Sequence, residues 1–325
     1  MAKRALSPSC LAIVQAVERA LPAALAATRL TTVTVGLSGG ADSLALTAAV
    51  AWARRRTGGP LAGLPVTAHV IDHGLQTDSA TVAARAAAQA ESLGLPAVVS
   101  RVEVEPTGAG LEADARHQRY QALLADATTL VAVGHTLDDQ AETVLLGLAR
   151  GSGTRSLAGM PWLSGRVVRP GLTLRRTQTE QACQDWGLEP WQDPMNDDPH
   201  YRRVQVRQAL ADLDRLLGPG LAQALARTAD LARQDADWLD QQAAQAGLAV
   251  TQASGLAVTE LAELPPALAG RVVLAWLRGR GVDDVGWGHV QAIMALVNHW
   301  HGQVGVDVPG GRVARQAGHL LFHSH

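Results

Sequence analysis

Short β-branched apolar runs alternate with longer stretches of helical period through the first half of the chain. Thr31–Leu37, Val66–Ile71, Val98–Val104 and Leu130–Val133 are continuous and apolar, as strands buried on both faces require. Helical patterns lie between them, at 44–56, from Thr77 or Ser79 as cap to about Leu93, over Gly110–Ala127 and over Asp138–Ala149. Residues 9–27 add an amphipathic helix, with Leu11, Val14, Val17, Leu21 and Leu25 on one side and Pro22 expected to bend or end it. Strands alternating with helices of this length predict an α/β fold built on a doubly wound parallel sheet, with ligands beyond the carboxyl ends of the strands. Further on, the pattern predicts a strand at Arg166–Arg169 and a helix opened by a capping box at Thr177–Glu180 and running to Trp186. A polar, turn-rich stretch at 191–199 precedes another helix from Tyr201. Residues 221–246 read as a long linker helix. From Leu248 a smaller unit follows, with a short strand, helices at Leu264–Arg280 and His289–His299, and a final hairpin arm after Pro309-Gly310-Gly311. The expected domains are 1–210, a linker at 211–247, and 248–325.

Composition narrows this only a little. The 325 residues carry a formal charge of −2, so no strong field marks the chain for nucleic acid or for an acidic substrate. Residues 151–207 hold eight arginines against six acids, and 208–325 eight against eleven, which leaves a local basic surface open without arguing strongly for one; Arg150–Ser156 reads as a glycine-rich basic loop. Cys10 and Cys183 are too few and too far apart for a disulfide framework or a zinc cluster, and Cys183 is expected to be inert in an ordinary helix. No stretch of membrane-spanning length or exported leader is expected, which points to the cytoplasm.

The chemistry gathers at Ser38-Gly39-Gly40-Ala41-Asp42-Ser43, where the first strand turns into a helix. Free N–H groups and a positive helix end converge there, and two glycines remove the Cβ atoms that would hold an anion away. Lys3 is the one lysine in the chain, so this is no Walker loop. Asp72-His73 and His135 end the second and fourth strands and so face the same crevice. Asp139 and Glu142 share one face of the helix that follows. They complement the helix dipole, or they hold a cation: Mg²⁺ on ATP, or a substrate ammonium, with Asp42 alone sufficing for Mg²⁺. Arg116, with Arg119 and Tyr120, either pairs with Glu112 on its own helix or stabilises phosphate charge. A metal cluster from His69, Asp72 and His73 is not expected.

The loop resembles the pyrophosphate loop of the N-type ATP pyrophosphatases, which have an adenine nucleotide alpha-hydrolase-like fold. Together with His69–Leu75, 112–120, Gly134–Thr143, 150–153 and 193–196, it resembles the tRNA(Ile)-lysidine synthetase family over about residues 30–210. The resemblance implies an ATP-dependent ligase that adenylates the C2 oxygen of the wobble cytidine, position 34, of tRNA(Ile) with a CAU anticodon. Free L-lysine then displaces AMP. It further implies that Ser38, Gly39, Gly40, Ala41, Asp42 and Ser43 bind ATP, with Asp42 on Mg²⁺. Arg116 and His135 would sit at the reacting phosphate and base, and Asp139 and Glu142 at the lysine amine. Residues 248–325 would recognise tRNA. Met195 and Asp72 depart from the family's usual serine and asparagine. The alternatives are another tRNA-modifying enzyme of the superfamily, such as a 2-thiolase, or a small-molecule ATP-dependent ligase. A homodimer is left open.

Overall fold

The apolar runs form the sheet they imply. The computed structural model describes residues 6–76, 78–103, 108, 110–151, 153–196, 202–282 and 284–325, with Leu111, Glu112 and Asn196 described by backbone only. Of the positions in the readings above, Lys3, Thr77, Val104, Ser152, Asp197, Asp198, Pro199, Tyr201 and the side chains of Glu112 and Asn196 lie outside these residues. In chain order come α1 (Pro8–Thr28), β1 (Thr32–Leu37), α2 (Ala41–Arg55), β2 (Val66–Asp72), α3 (Ser79–Ser92), β3 (Ala97–Arg101), α4 (Leu111–Leu123), β4 (Thr129–Val133) and α5 (Leu137–Arg150). Then follow α6 (Thr154–Leu157), β5 (Leu163–Ser164), β6 (Val167–Val168), α7 (Arg176–Trp186), α8 (Arg202–Leu217) and α9 (Leu221–Val250). The chain closes with β7 (Thr251–Gln252), β8 (Gly255–Ala257), α10 (Val258–Glu263), α11 (Pro266–Arg278), α12 (Trp287–Asn298), β9 (Val306–Val308), β10 (Gly311–Gln316) and β11 (His319–Ser324).

Two compact units divide the chain, 1–146 with 160–226, and 147–159 with 227–325. The division falls inside α9 where the sequence suggested a separate linker, and α6 belongs to the second unit.

The first unit holds a six-stranded sheet in the order β3-β2-β1-β4-β6-β5. Strands β3, β2, β1, β4 and β6 run parallel, and β5 pairs antiparallel with β6, so the edge is a small hairpin that the alternation did not announce. Strand order reverses between β1 and β4. Such a reversal leaves a crevice at the strand ends, because the two following connections depart to opposite faces. Val33, Val35, Leu37, Leu130 and Ala132 are buried against Leu44, Val50 and the apolar side of α1. Helix α1 continues past Pro22 instead of ending there, since Leu21 and Ala24 on either side are completely buried and hold the turn. At 21 residues α1 is long and apolar enough to cross a membrane by length and composition, contrary to the sequence expectation. Its apolar face is instead part of this unit's core, beside α2 and α7.

The second unit is an antiparallel sheet, β7-β8-β11-β10-β9, covered by α10, α11 and α12 around Leu256, Leu261, Leu277, Ile293, Val313 and Leu320. Arg155, expected to lie on a basic loop, pairs with Asp237 at 2.7 Å and with Asp240, while Arg271 reaches Asp240 at 3.2 Å and Thr154 Oγ1 at 3.2 Å. That part of the loop is neutralised by α9 and is not an open basic patch.

Candidate active site

The first turn of α2 forms the base of the crevice. Gly39 takes φ +85°, a conformation L side chains rarely adopt, and Gly40 caps the helix with no side chain of its own. Ser43 Oγ accepts from the Ser38 N–H at 3.2 Å, lies 3.1 Å from Ser38 Oγ and donates to the Gly40 carbonyl at 2.9 Å, which closes the loop on itself. The first N–H groups of a helix have no partner within it, so they are available to an anion. Two neighbours fix the loop from outside. The Trp191 N–H donates to the Gly39 carbonyl at 2.9 Å, tying the 191–196 stretch to it. Gly134, just past β4, lies so close that a Cβ there would stand 2.8 Å from Asp42 C and O and 2.9 Å from Ser43 N.

Four acids meet across this turn. Thr179 Oγ1 donates to Asp42 Oδ1, and Arg176 Nε donates to Asp42 Oδ2 at 3.4 Å. Arg176 Nη2 donates to Asp139 Oδ1 at 2.9 Å, and its Nη1 stands 3.7 Å from Glu142 Oε1. The other Asp139 oxygen accepts from the Thr136 N–H at 2.7 Å and from its hydroxyl at 2.8 Å. Asp138 accepts from the Arg176 backbone N–H at 2.7 Å and pairs with Arg175 at 3.0 Å. Glu142 is 2% exposed; Oε1 accepts from Arg207 Nε at 3.1 Å, and Oε2 is buried without a partner.

Burial and charge then set each group apart. Burial pushes the Asp42 carboxyl up to about 6, against Thr179 and Arg176. Burial and the neighbouring Asp139 raise Glu142 above the ordinary carboxylate range, with Arg207 and Arg176 opposing. For Asp139 burial works upward too, but Arg176, His135 and the Thr136 donors outweigh it and hold the carboxyl low.

His135 is pushed down to about 3, first by burial and then by Arg116, Arg169 and Arg203, so it is neutral at physiological pH. Its Nδ1 is buried without a partner. Arg116 lies over the Tyr120 ring at 5.1 Å, and burial with Arg203 and Arg169 lowers its pKa, leaving a desolvated guanidinium still charged near neutrality.

The structure therefore brings Ser38–Ser43, Asp42, Asp139 and Glu142 together, with Arg116 and His135 acting electrostatically on Asp139. It adds Arg176, Thr179, Asp138 and Arg207, which sequence reading missed. Asp72 ends β2, as expected, and its Oδ1 accepts from the Gly74 N–H at 2.9 Å, closing the turn that follows. His69 Nε2 is 2.8 Å from Ser100 Oγ, and among the described residues no three His, Cys, Asp or Glu side chains are placed to hold a metal. Cys183, in α7 as an ordinary helix residue, donates to the Ala41 carbonyl at 3.3 Å; it is wholly buried, and burial pushes its thiol up to about 12. Beside the acids lies a cavity of about 220 Å³ lined by Asp138, Glu142, Glu180, Arg176, Arg207, Thr177, Ala141, Leu210 and Ala222.

A PP-loop domain family model matches residues 13–213, and a TilS substrate binding domain model matches 256–321. The chain is 50% identical over 303 residues to a tRNA(Ile)-lysidine synthase of Leifsonia xyli subsp. xyli, covering 90% of each chain. It is 48% identical over 330 residues to that of Salinispora arenicola, covering 97% of each. Among solved structures, the U34-tRNA thiolase NcsA from Methanococcus maripaludis superposes with a TM-score of 0.53 at 17% identity, over 69% of this chain and 78% of that one, a likeness of fold.

Proposed function

The chain belongs to the tRNA(Ile)-lysidine synthase family, and from that premise we propose that it is an ATP-dependent ligase converting the wobble cytidine of tRNA(Ile) to lysidine. A cytosine carbonyl is a poor electrophile with no leaving group. Attack of its O2 on the α-phosphorus of ATP breaks the bond to the bridging oxygen and releases pyrophosphate. The ε-amine nitrogen of free lysine then bonds to C2, and the C2–O bond breaks as AMP departs with that oxygen.

The observation that carries this reading is the sharing of one crevice by a phosphate-accepting turn and a buried acidic face. Ser38–Ser43 receive the polyphosphate on backbone N–H groups and two hydroxyls. The donor set suits Mg²⁺, which takes one or two carboxylates along with phosphate oxygens, and Asp42 is the carboxylate nearest the turn. Mg²⁺ held there would neutralise the charge that develops on the phosphates. Arg116 is a desolvated cation for the reacting phosphate, and neutral His135 offers a ring nitrogen to the base or the phosphate.

Asp139 and Glu142 seat the ε-ammonium and take the proton that its nitrogen must lose before it bonds to C2. Three carboxylates and two guanidiniums line the neighbouring cavity with an aliphatic floor, the inverse of lysine's two ammonium groups and one carboxylate. The work of the protein is then orientation and charge complementarity. The second unit would hold the tRNA, and the reaction belongs in the cytoplasm, where all three substrates meet. Sulfur transfer has no support here, since both cysteines are buried and free and the Cys183 thiol is far from ionising.

Incubation with ATP, Mg²⁺, labelled lysine and unfractionated tRNA, followed by nucleoside analysis, tests the reading. Lysidine, AMP and pyrophosphate are the expected products. Turnover to ADP and orthophosphate would overturn it.

A further inference from the structure

Arg176, so far only one of the two guanidiniums on the cavity, also reaches the three carboxylates to which that chemistry is given. Its distances are unequal. Asp139 is held most closely, at 2.9 Å, while Asp42 is at 3.4 Å and is held independently by the Thr179 hydroxyl. Glu142 has one oxygen occupied by Arg207 at 3.1 Å, with Arg176 at 3.7 Å, and the other buried and unpartnered. A carboxylate oxygen left without a donor inside a protein is costly, and an ammonium brings three N–H groups.

We propose that Arg176 is a positioning residue for the amine substrate, fixing Asp139 and Glu142 as one face and leaving Glu142 Oε2 as the acceptor for the incoming ammonium. The proposal rests on the lysine reading given above. The planar guanidinium suits this task because its fork spans separate carboxylates, whereas an ammonium at the same place is a single point of charge.

Removing a cation would by itself draw a second cation in, so the sign needs argument. Glu142 faces Asp139 from its own helix, Arg176 from α7 and Arg207 from α8, with Asp138 and Glu180 on the same cavity. Burial already holds its carboxyl above the ordinary range against both guanidiniums. Taking one away moves it further in that direction, so the acid gives up its proton less readily, and a neutral acid seats an ammonium poorly. Asp139 meanwhile loses the partner of Oδ1. Asp42 keeps Thr179, so the phosphate half of the reaction depends less on Arg176.

The test compares Arg176→Gln and Arg176→Lys with the unaltered full-length protein. tRNA-dependent exchange of pyrophosphate into ATP without lysine reads adenylation, and lysidine formation reads the KM for lysine. For Arg176→Gln the KM for lysine should rise at least about tenfold while exchange falls less than about threefold, and Arg176→Lys should recover part of the loss. If the lysine KM stays within about twofold while exchange collapses, Arg176 serves ATP and the proposal is wrong. Equal loss of both steps with a lowered melting temperature would also overturn it, as would failure of Arg176→Lys to improve on Arg176→Gln. Should Arg176→Gln not fold, the Lys variant decides alone by the same KM-against-exchange comparison with the unaltered protein. Absence of lysidine from the unaltered protein would instead defeat the functional reading.

Discussion

Gly134→Ala tests whether the fit of β4's end against the phosphate turn governs nucleotide chemistry. The added Cβ would lie 2.8 Å from Asp42 C and O and 2.9 Å from Ser43 N, all backbone atoms, where ordinary contacts lie at 3.4–4 Å. The turn or the strand end must therefore retreat by about 0.5–1 Å. Overpacking of this kind costs about 1–3 kcal/mol. In a unit of roughly 200 residues that is a fall in melting temperature of about 2–12 °C. The functional cost is larger, because a misplacement of about 1 Å at a reacting centre is worth on the order of a hundredfold. Scanning fluorimetry would read the first quantity and tRNA-dependent ATP–pyrophosphate exchange the second. Gly288→Ala is the control, since a Cβ there meets open space within 4 Å and lies in a helix. Gly134→Ala with control-level exchange and an unshifted melting temperature would refute the claim that this contact sets the turn's position.

Asp42→Ala should abolish lysine incorporation while circular dichroism stays that of the folded chain; substantial incorporation would remove Asp42 from the site. His135 has a folded pKa of about 3 against 6.5 for the free side chain, so the unfolded chain binds the extra proton between those values. Stability is therefore lost as pH falls below 6.5, and His135→Asn should show a shallower decline of melting temperature between pH 6.5 and about 4; an identical slope would count against the burial argument. Burial holds both thiols above their ordinary range, Cys183 to about 12, so Ellman's reagent at about pH 8 should find neither in the folded protein and both in denaturant. A fast-reacting thiol in the folded state would contradict this.

What could be read from the sequence was whatever local chemistry determines. Val33, Val35, Leu130 and Ala132 announce a parallel sheet because such strands are buried on both faces. Ser38–Ser43 announces an anion turn because its glycines and hydroxyls are contiguous. What failed was set by contacts between distant segments. Pro22 breaks a helix in isolation, but here Leu21 and Ala24 are locked into the core on either side of it. The two-residue strands of the β5–β6 hairpin are too short for alternation to reveal.

Helix α7 is the instructive case. Thr177–Glu180 has the pattern of a capping box, so the helix was expected to begin there, leaving Arg175 and Arg176 in the preceding loop. The observed helix starts at Arg176: Gln178 Oε1 accepts from the Arg175 N–H at 2.9 Å, and Asp138, 38 residues earlier, accepts from the Arg176 N–H. The Gln178 contact is local, but the Asp138 contact comes from another helix and leaves no mark in the neighbouring sequence. That shift puts Arg176 and Thr179 three apart on one face, which carries both onto Asp42. Acids in a first turn complement a helix dipole, and Asp138 does so for α7 by capping a neighbouring N-terminus. Asp138 thus serves a neighbouring helix end, whereas Asp139 takes both the Thr136 N–H at the start of its own helix and the Arg176 guanidinium across the crevice, so helix-end complementarity accounts for only part of this short motif.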